Sequence, residues 1–262
     1  GVIKNRILLF LMSVLEWLSY RTADGCIGLS PGIVAGIKRR RKRSGPVEMI
    51  PNASDIDLFS PGKESKTFIN GCDDSDFIAI FTGAHGIANG LDSVIEAASI
   101  IKNIGNNKIK FVFIGDGMLK QKIINLSKEM HLNNCIFIDP VSKDQLQKYL
   151  HCSDIGLMIL SNIPAFYYGT SPNKFFDYLA SGLPILVNYP GWMSELVTEN
   201  NCGISVLPSN PNDFADKLIK LSKEKRLINE MGNNSRRLAE VQFSRAIVAE
   251  KFENFLNSFI DA

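Results

Sequence analysis

The segment Thr170–Pro184 reads TSPNKFFDYLASGLP, and this order of residues predicts a capped helix that leads into a buried strand. Ser171 is of a residue type that caps helices well, and Pro172 suits the first helical turn, where a missing N–H costs nothing. Gly182 ends the predicted helix before the apolar run Ile185–Val187. A helix that passes at once into a buried strand is typical of an α/β fold.

The start of this predicted helix has two features that suit a nucleotide. Its unpaired N–H groups and the positive end of the helix dipole favour a phosphate, and Lys174 adds a positive charge in the first turn. Asp177 follows three residues later on the same helix face, where its carboxylate can accept hydrogen bonds from vicinal hydroxyls. The alternative interpretation is a capped helix in which Lys174 and Asp177 form only an i,i+3 salt bridge.

Composition bounds the number of domains and argues against several classes of protein. A chain of 262 residues with 45% hydrophobic residues can bury the core of one large or two smaller domains. The formal charge of +2 gives no overall attraction for nucleic acid, so we expect no nucleic-acid partner. The three histidines are scattered, and we expect no metal or other cofactor. Five cysteines without a CxxC pair indicate a reducing cytoplasm rather than secretion: Cys26, Cys72, Cys135, Cys152 and Cys202.

The N-terminal residues predict the end of one α/β unit. A helix over Lys4–Tyr20, a strand over Gly25–Leu29, a helix that Ser30 caps and a strand over Val47–Ile50 alternate, but the strands that should precede them are absent. We therefore expect a chain that begins in mid-domain, with residues 1–58 as the remnant of an N-terminal domain. The polar residues 59–76 are predicted to be the linker to the next domain.

Two N-terminal segments allow a membrane contact. Ile7–Leu15 is too short to span a bilayer and lacks a cleavage site, so it predicts either a buried helix or an interfacial helix with Trp17 and Tyr20 near the headgroups. The basic run Lys38–Arg43 predicts either a solvated helix end or a contact with anionic lipid. We expect a cytoplasmic protein, and the membrane interpretation would place it peripherally at the inner face of the plasma membrane.

From residue 77 onward, continuous apolar strands alternate with helices. This alternation predicts a doubly wound, Rossmann-like parallel sheet over residues 77–240, with helices on both faces and ligands at the carboxyl ends of the strands. Residues 241–262 predict an amphipathic helix that packs back on the N-terminal part. The predicted strands are Phe77–Phe81, Ile109–Ile114, Cys135–Ile138, Ile155–Leu160, Ile185–Val187 and Gly203–Val206.

The loop after the first of these strands contains three glycines. Its sequence is TGAHGIANG at Thr82–Gly90, in which Gly83 and Gly86 allow tight turns and let backbone N–H groups approach a ligand. His85 lies between them, where it can donate to a phosphate or a sugar hydroxyl. The alternative is an incidental loop histidine.

The loop after the second strand favours a competing hypothesis, a nicotinamide-dependent enzyme. Its sequence, GDGMLK at Gly115–Lys120, resembles the dinucleotide fingerprint except that Lys120 replaces the third glycine. Asp139 falls near the position of an NAD-binding acid. The position of the loop argues against this hypothesis, because the fingerprint belongs after the first strand of such a unit.

A later turn carries one more candidate residue. Asn188–Leu196 reads NYPGWMSEL, and it places Glu195 inside the first turns of a predicted helix. The carboxylate there either stabilises the helix N-terminus or contacts substrate.

In combination, these motifs resemble the C-terminal half of a family 4 retaining glycosyltransferase of the two-domain GT-B fold. The match runs from about Arg21 to Arg237 and rests on GAHG, FVFIGDG, CSDIGLMIL, SPNKFFDYLASGLPI and GWMSELV. SPGIVAGI and VEMIPNASDIDLFSPG resemble the end of the N-terminal domain and its crossover. Within the family, the chain looks most like bacterial transferases of amino sugars such as N-acetylfucosamine, in O-antigen and capsule assembly.

The resemblance implies that a nucleotide-sugar binds in this domain and the acceptor mostly in the other. Two glutamates frame the donor in many members. The second corresponds to Asp177, which would hold the ribose, and the first falls at Gly169. Ala84 and Asn89 stand near the positions of an Arg and a Lys that many members use for the diphosphate.

Lys174 and the amides around Ser171 would then bind the diphosphate, and backbone groups around Val141 would bind the base. Transfer with retention would rely on amides and cations that stabilise charge on the leaving diphosphate, without a metal. The residues expected to carry the chemistry are His85 and Lys174 for catalysis, and Gly83, Gly86, Gly117, Val141, Ser171, Asn173, Asp177 and Glu195 for substrate binding.

We expect a UDP-sugar as donor and a lipid-linked or saccharide acceptor, in the synthesis of bacterial surface polysaccharide. Gly1 in place of methionine and the missing strands before Arg21 predict a fragment that binds donor but turns over poorly. Two alternatives stay open: a nucleotide-sugar epimerase of similar shape, and a non-catalytic nucleotide-binding module.

Overall fold

A computed structural model of the chain describes residues 5–41 and 45–260. Some of the predicted segments extend past these limits. Their residues Gly1, Lys4, Lys42, Arg43 and Ala262 lie outside the described part of the chain.

The N-terminal part has the predicted order of helix, strand, helix and strand. The elements are α1 (Arg6–Thr22), β1 (Cys26–Gly28), α2 (Pro31–Arg40) and β2 (Val47–Met49). Ser30 caps α2 as predicted, because its Oγ accepts a hydrogen bond from the N–H of Ile33 at 3.4 Å. The strands β1 and β2 pair in parallel, with α2 as the crossover between them.

The main sheet contains six parallel strands, and at least one helix follows each strand. The strands are β3 (Phe77–Thr82), β4 (Ile109–Ile114), β5 (Cys135–Ile138), β6 (Ile155–Met158), β7 (Ile185–Val187) and β8 (Gly203–Ser205). The helices are α3 (Asp92–Asn103), α4 (Lys120–Glu129), α5 (Lys143–His151), α6 (Pro164–Gly169), α7 (Asn173–Ala180), α8 (Trp192–Glu199), α9 (Pro211–Ser222), α10 (Lys225–Leu238) and α11 (Arg245–Asn257).

The spatial order of the strands is β5-β4-β3-β6-β7-β8. The chain builds outward from β3 in one direction, then returns to the other side of β3 with β6 and continues to β8. This reversal creates a crevice outside the carboxyl ends of β3 and β6, which is where doubly wound sheets bind ligands. The fold class predicted from the sequence is therefore confirmed.

Alternate residues along the strands supply two separate cores. On β3, Ile78 and Ile80 belong to one buried cluster, while Ala79 and Phe81 belong to the other. All four side chains are fully buried. Burial on both faces explains why the strands appear in the sequence as continuous apolar runs rather than as an alternating pattern.

The predicted linker, residues 59–76, is a packed segment rather than an extended connection. Phe59 and Ile69 are each only 1% exposed, because both join the core on one face of the sheet. Lys66 pairs with Asp154 at 2.5 Å, and the same carboxylate accepts the N–H of Ile78 at 2.7 Å. Because the segment is mostly polar, its sequence does not predict these contacts with the core and with Asp154. The domain boundaries drawn at 58, 76 and 240 stay predictions.

The end of the chain contacts its N-terminal part. After α10, a π-helical turn at Ala239–Phe243 leads into α11. A Cβ built on Gly25 would collide with the rings of Phe255 and Phe259, so these rings lie directly on the backbone beside β1. Ser54 and Ser244 also form a parallel bridge.

The helix α1 has no buried residue. Its apolar side chains face outward, with Ile7 72%, Phe10 67% and Leu15 64% exposed. This exposure contradicts the interpretation of the segment as a buried helix. Among the described residues, no helix combines the length and the apolar character that crossing a bilayer would require.

Candidate functional site

The helix α7 lies at the crevice, and three of its side chains contact other elements there. Tyr178 fastens the helix to the end of β3, because its OH lies 2.9 Å from the N–H of Thr82 and 3.1 Å from Thr82 Oγ1. Lys174 points toward the loop after β3, and Asp177 points toward the segment that precedes Phe59. The two charged residues therefore face different neighbours.

Lys174 is a cation without an anionic partner among the described residues. Its Nζ lies 3.7 Å from the centroid of the Phe81 ring and 3.2 Å from Asn89 Oδ1. A Cβ on Gly83 would lie 3.7 Å from the same Nζ. Burial lowers the pKa of Lys174 to about 7, because the charged form loses solvation. A desolvated ammonium beside a glycine loop is suited to bind an anion.

Asp177 forms a hydrogen bond to a serine rather than a salt bridge to Lys174. Its Oδ1 accepts the hydroxyl of Ser54 at 2.7 Å, and its Oδ2 has no hydrogen-bond partner among the described residues. Burial raises the pKa of Asp177, and the hydrogen bond from Ser54 together with the charges of Lys143 and Arg245 opposes that rise. The alternative interpretation, an i,i+3 salt bridge with Lys174, is therefore wrong, while the side chain remains half-buried and able to accept further donors.

Ser171 does not cap α7, contrary to the prediction. The helix begins at Asn173 with no side-chain cap, and Ser171 binds a residue far away in the sequence. Its Oγ accepts the N–H of Asn52 at 3.1 Å, and its carbonyl accepts Asn52 Nδ2 at 2.5 Å. Because the hydroxyl of Ser171 binds Asn52, it does not cap α7, which is the role that the local sequence predicts for it. The side chain of Asn173 is exposed.

The glycines of GDG pack two loops together. A Cβ on Gly115 would collide with the carbonyl of Gly83, and one on Gly117 would lie 2.7 Å from the carbonyl oxygen of His85. Both have positive φ, at 143° and 153°. These contacts explain the glycines without a dinucleotide. The acid that the nicotinamide hypothesis required, Asp139, is instead paired with Lys120 at 2.5 Å.

His85 does not face the crevice, which contradicts its predicted contact with a ligand. The ring is fully buried, lies 5.9 Å from the Phe81 centroid and 6.4 Å from that of Phe113, and neither ring nitrogen has a hydrogen-bond partner among the described residues. Burial, together with the charges of Lys120 and Lys174, lowers the pKa of His85 to about 4. The imidazole is therefore neutral at pH 7. Its backbone still holds the GDG loop, because its N–H donates to Asp116 and its carbonyl accepts Leu119 N–H.

Gly86 is in an extended conformation, with φ −112°, and a Cβ there would meet no atom within 4 Å. A 3₁₀ turn does begin at Gly86, because its carbonyl accepts the N–H of Asn89 at 3.0 Å, but the φ of Gly86 is open to any residue. Gly83, by contrast, has the positive φ, 118°, that glycine favours.

The remaining candidates lie around the same edge of the sheet. Val141 is half-buried in the loop after β5 and packs against one core. Glu195 is exposed in the first turn of α8, where it accepts a hydrogen bond from Tyr168. Gly169 ends α6, and a Cβ there would meet no atom within 4 Å. A side chain could therefore begin at this position without a clash at its Cβ.

Three residues of this site were missed by sequence reasoning. Ser54 and Asn52 lie in a polar turn that precedes the sheet, more than 110 positions before the residues they contact. Phe81 is one of many apolar strand residues. Only the turn sequence PNAS gave a local signal, and it indicated a loop rather than a contact.

The glycosyl transferases group 1 family model matches residues 62–238 of this chain. An uncharacterized glycosyltransferase of Methanocaldococcus jannaschii is 27% identical over 173 residues, which are 66% of this chain and 44% of that protein. The poly(ribitol-phosphate) alpha-N-acetylglucosaminyltransferase of Staphylococcus aureus is 25% identical over 169 residues, 64% of this chain and 33% of that protein. The crystal structure of Anabaena Alr3699/HepE in complex with UDP-glucose has a TM-score of 0.78 at 15% identity, covering 94% of this chain and 67% of that one.

The parallel sheet, its strand order and its structural neighbours define an α/β protein of the GT-B glycosyltransferase fold. With more than half of its length matched by the family model, the chain belongs to the glycosyl transferases group 1 family. It spans 44% and 33% of the length of the two curated relatives described above.

Proposed function

We propose that the chain binds the donor of a retaining glycosyltransferase, and that this donor is a UDP-sugar. The observation that carries the proposal is Lys174, a desolvated cation without an anionic partner among the described residues, beside Gly83 at the carboxyl edge of the sheet. A diphosphate at this position would supply the missing negative charge. Asp177, one helical turn away, would take the ribose hydroxyls with its unpartnered oxygen.

The charges around Asp177 support a direction for the nucleotide. Lys143, at the start of α5, is close enough to affect the pKa of Asp177, and Val141 lies two residues before it. The base would then lie near the backbone of Val141, the ribose at Asp177 and the diphosphate at Lys174. The choice of UDP is supported by the Anabaena neighbour, whose crystal structure contains UDP-glucose.

The chemistry we propose is electrostatic. Charge develops on the diphosphate as the sugar leaves, and Lys174 with the N–H groups at the start of α7 would stabilise it. Departure and attack on one face of the sugar would retain the anomeric configuration, with the leaving phosphate accepting the proton of the acceptor. These steps require no metal.

The acceptor would approach from the side of α2. An open depression of about 430 Å³ lies between α2 and α6, with Gly32, Arg39 and Tyr168 among its lining residues. We propose a saccharide or lipid-linked acceptor there and a role in bacterial surface polysaccharide, such as O-antigen or capsule. The Staphylococcus aureus relative, whose name specifies a poly(ribitol-phosphate) acceptor and N-acetylglucosaminyl transfer, supports both the polymer and an amino sugar.

The location we propose is the cytoplasm, with peripheral contact at the inner face of the plasma membrane. The outward-facing apolar residues of α1 adjoin Lys38, Arg39 and Arg40 at the end of α2, and Arg40 pairs with Glu16 of α1. Apolar side chains beside a cluster of cations suit the interface of an anionic bilayer.

One observation favours a second candidate, a non-catalytic nucleotide-binding module. Gly169 leaves empty the position of a donor-sugar glutamate. An epimerase is the other alternative, and incubation with donor alone separates it from a transferase, because only an epimerase changes the donor without an acceptor.

Binding of nucleotides tests the proposal directly. In calorimetric titrations with UDP, GDP, ADP and NAD, we expect UDP to bind and its Kd to rise at least about tenfold in Lys174→Ala and Asp177→Ala, since each removes one charged contact. Lys225→Ala and Asp57→Ala, which change exposed residues of matched type, should leave Kd unchanged. Binding of NAD that tolerates both site substitutions, or of no nucleotide, would contradict the proposal.

A further inference from the structure

Ser54 is held from three directions. Its N–H donates to the carbonyl of Phe243 at 3.1 Å, and its carbonyl accepts the N–H of Arg245 at 2.9 Å. Its hydroxyl donates to Asp177 Oδ1 at 2.7 Å. The residue is only 1% exposed. Its backbone is therefore fixed on both sides, which keeps the hydroxyl within reach of the carboxylate.

This contact determines how Asp177 presents its two oxygens. The carboxylate can only accept, so the proton of the bond belongs to Ser54, and Oδ1 is committed to it. Oδ2 is left without a partner among the described residues, on a side chain that is half-buried rather than sealed. A hydrogen bond to a charged acceptor is among the stronger ones in proteins, so it restricts the rotation of the carboxylate.

We propose that Ser54 is the positioning residue for recognition of the nucleotide ribose: by holding Oδ1 it presents Oδ2 to the vicinal hydroxyls. This inference rests on the proposed function of Asp177. Ser54 does not touch the nucleotide. It lies outside the main sheet, in the segment that joins β2 to the sheet domain, so ribose recognition depends on a residue from beyond that domain.

The residues on either side of Ser54 attach its segment to the rest of the protein. Asn52 binds Ser171 through its backbone N–H and its side-chain amide, two residues before α7 begins. Asp55 pairs with Arg245 at 3.1 Å on the other side. Because the segment is attached both to α7 and to the start of α11, the hydroxyl of Ser54 stays at a fixed distance from Asp177.

The test compares UDP with 2′-deoxy-UDP, which lacks one of the two hydroxyls. In the wild-type protein we expect 2′-deoxy-UDP to bind at least about tenfold more weakly. Ser54→Ala should reduce this ratio to about the value of Asp177→Asn, because a free carboxylate no longer holds its orientation. Ser54→Thr, which keeps the hydroxyl, should retain the wild-type ratio.

A control separates positioning from general destabilisation. Ser244→Ala removes the Oγ that caps α11 at 3.3 Å from the N–H of Ile247, directly beside Ser54 in the bridge, but leaves Asp177 untouched. We expect Ser244→Ala to lower the melting temperature without changing the ratio of the two Kd values. Melting temperatures of all variants report whether each is folded.

The outcomes distinguish the two proposals. A wild-type protein that binds no UDP overturns the proposed function and this inference together. UDP binding without discrimination against 2′-deoxy-UDP leaves the donor site standing and overturns the ribose role. Discrimination that Asp177→Asn abolishes but folded Ser54→Ala retains overturns the role of Ser54 alone.

Discussion

Lys174 shows how burial changes the meaning of a single charge. In sequence it is a lysine in the first turn of a helix, where it suggests a phosphate or a salt bridge. In the structure its Nζ lies over the Phe81 ring, and its pKa falls to about 7 because the ammonium is desolvated. The protein therefore carries this charge only partly at neutral pH, and an anionic ligand would restore it.

The pH dependence of UDP affinity tests this charge. Below about pH 7 Lys174 is already protonated, whereas above it binding must bring a proton from solvent, so affinity should fall by up to about tenfold per pH unit. Calorimetry between about pH 7.5 and 9 measures the fall, since a terminal phosphate with a pKa near 6 is already ionised there.

Other titratable groups lie near Lys174, and one variant isolates the effect of the lysine. His85, with a pKa of about 4, stays neutral throughout this range. On the same helix, burial raises the pKa of Asp177 and also that of Tyr178, which moves the tyrosine further above this range. Lys174→Met removes the ammonium but keeps the apolar stem. This variant should bind UDP weakly, with an affinity that does not change over this pH range. An equal slope in Lys174→Met would assign the titration to another group.

Residue identity could be predicted from sequence more readily than residue environment. Lys174 and Asp177 were singled out from their spacing and helix position, and both lie at the crevice. Their supposed salt bridge was wrong because each has a partner that is distant in the chain, Phe81 and Ser54. The predicted ligand contact of His85 was wrong for the same reason. The flanking glycines indicated exposure, but Phe81 and Phe113, from the two strands beneath the loop, pack against the ring.

At the scale of elements, the strands were predictable and the helix starts less so. β4, β5 and β7 have the predicted limits, because an apolar run bounded by polar residues gives a strand buried on both faces. The helix α6 forms in a segment for which no element is predicted above, and α7 starts without the predicted cap. The missing cap follows from a tertiary contact, Asn52 with Ser171, that no local pattern records.

Close packing of β7 against β8 predicts a severe loss of stability when Gly203 gains a side chain. A Cβ on Gly203 would collide with the carbonyl of Ile185 and would lie 2.7 Å from its backbone nitrogen. Gly203→Ala should lower the free energy of unfolding by about 2 kcal/mol or more, because the strands must separate. Urea denaturation measures the change.

A matched substitution in a helix provides the control. A Cβ on Gly36 would meet nothing within 4 Å, so Gly36→Ala in α2 should raise the free energy of unfolding by about 0.5–1 kcal/mol. An unfolding free energy of Gly203→Ala equal to that of the wild type would show that the strands can adjust without cost.

At the scale of the whole molecule, the surface of α1 is unusual because it is mostly apolar. Nine of its apolar side chains are exposed among the described residues: Ile7, Leu8, Leu9, Phe10, Leu11, Met12, Leu15, Trp17 and Leu18. Sequence reasoning left this segment undecided between core and interface, since hydrophobicity alone does not say which side is covered. Within the described residues, nothing covers these side chains.

Vesicle binding tests the membrane proposal. The protein should sediment with vesicles that contain phosphatidylglycerol and much less with pure phosphatidylcholine, and added salt should weaken the binding. Phe10→Asp with Leu15→Asp should reduce binding at least about tenfold, because two apolar contacts become charges. Val241→Asp, an exposed apolar position elsewhere, is the control. Equal binding of all variants, or of both vesicle types, would contradict the proposal.

The rings of Phe255 and Phe259 against Gly25 have a consequence for recombination between relatives. The N-terminal part meets the end of the chain here, so residues that adjoin in space are more than 200 positions apart in sequence. A single crossover between β2 and β3 would pair an N-terminal part with a foreign α11. Chimaeras should therefore be made by exchanging α11 together with the N-terminal part, so that both halves of this contact have one parent.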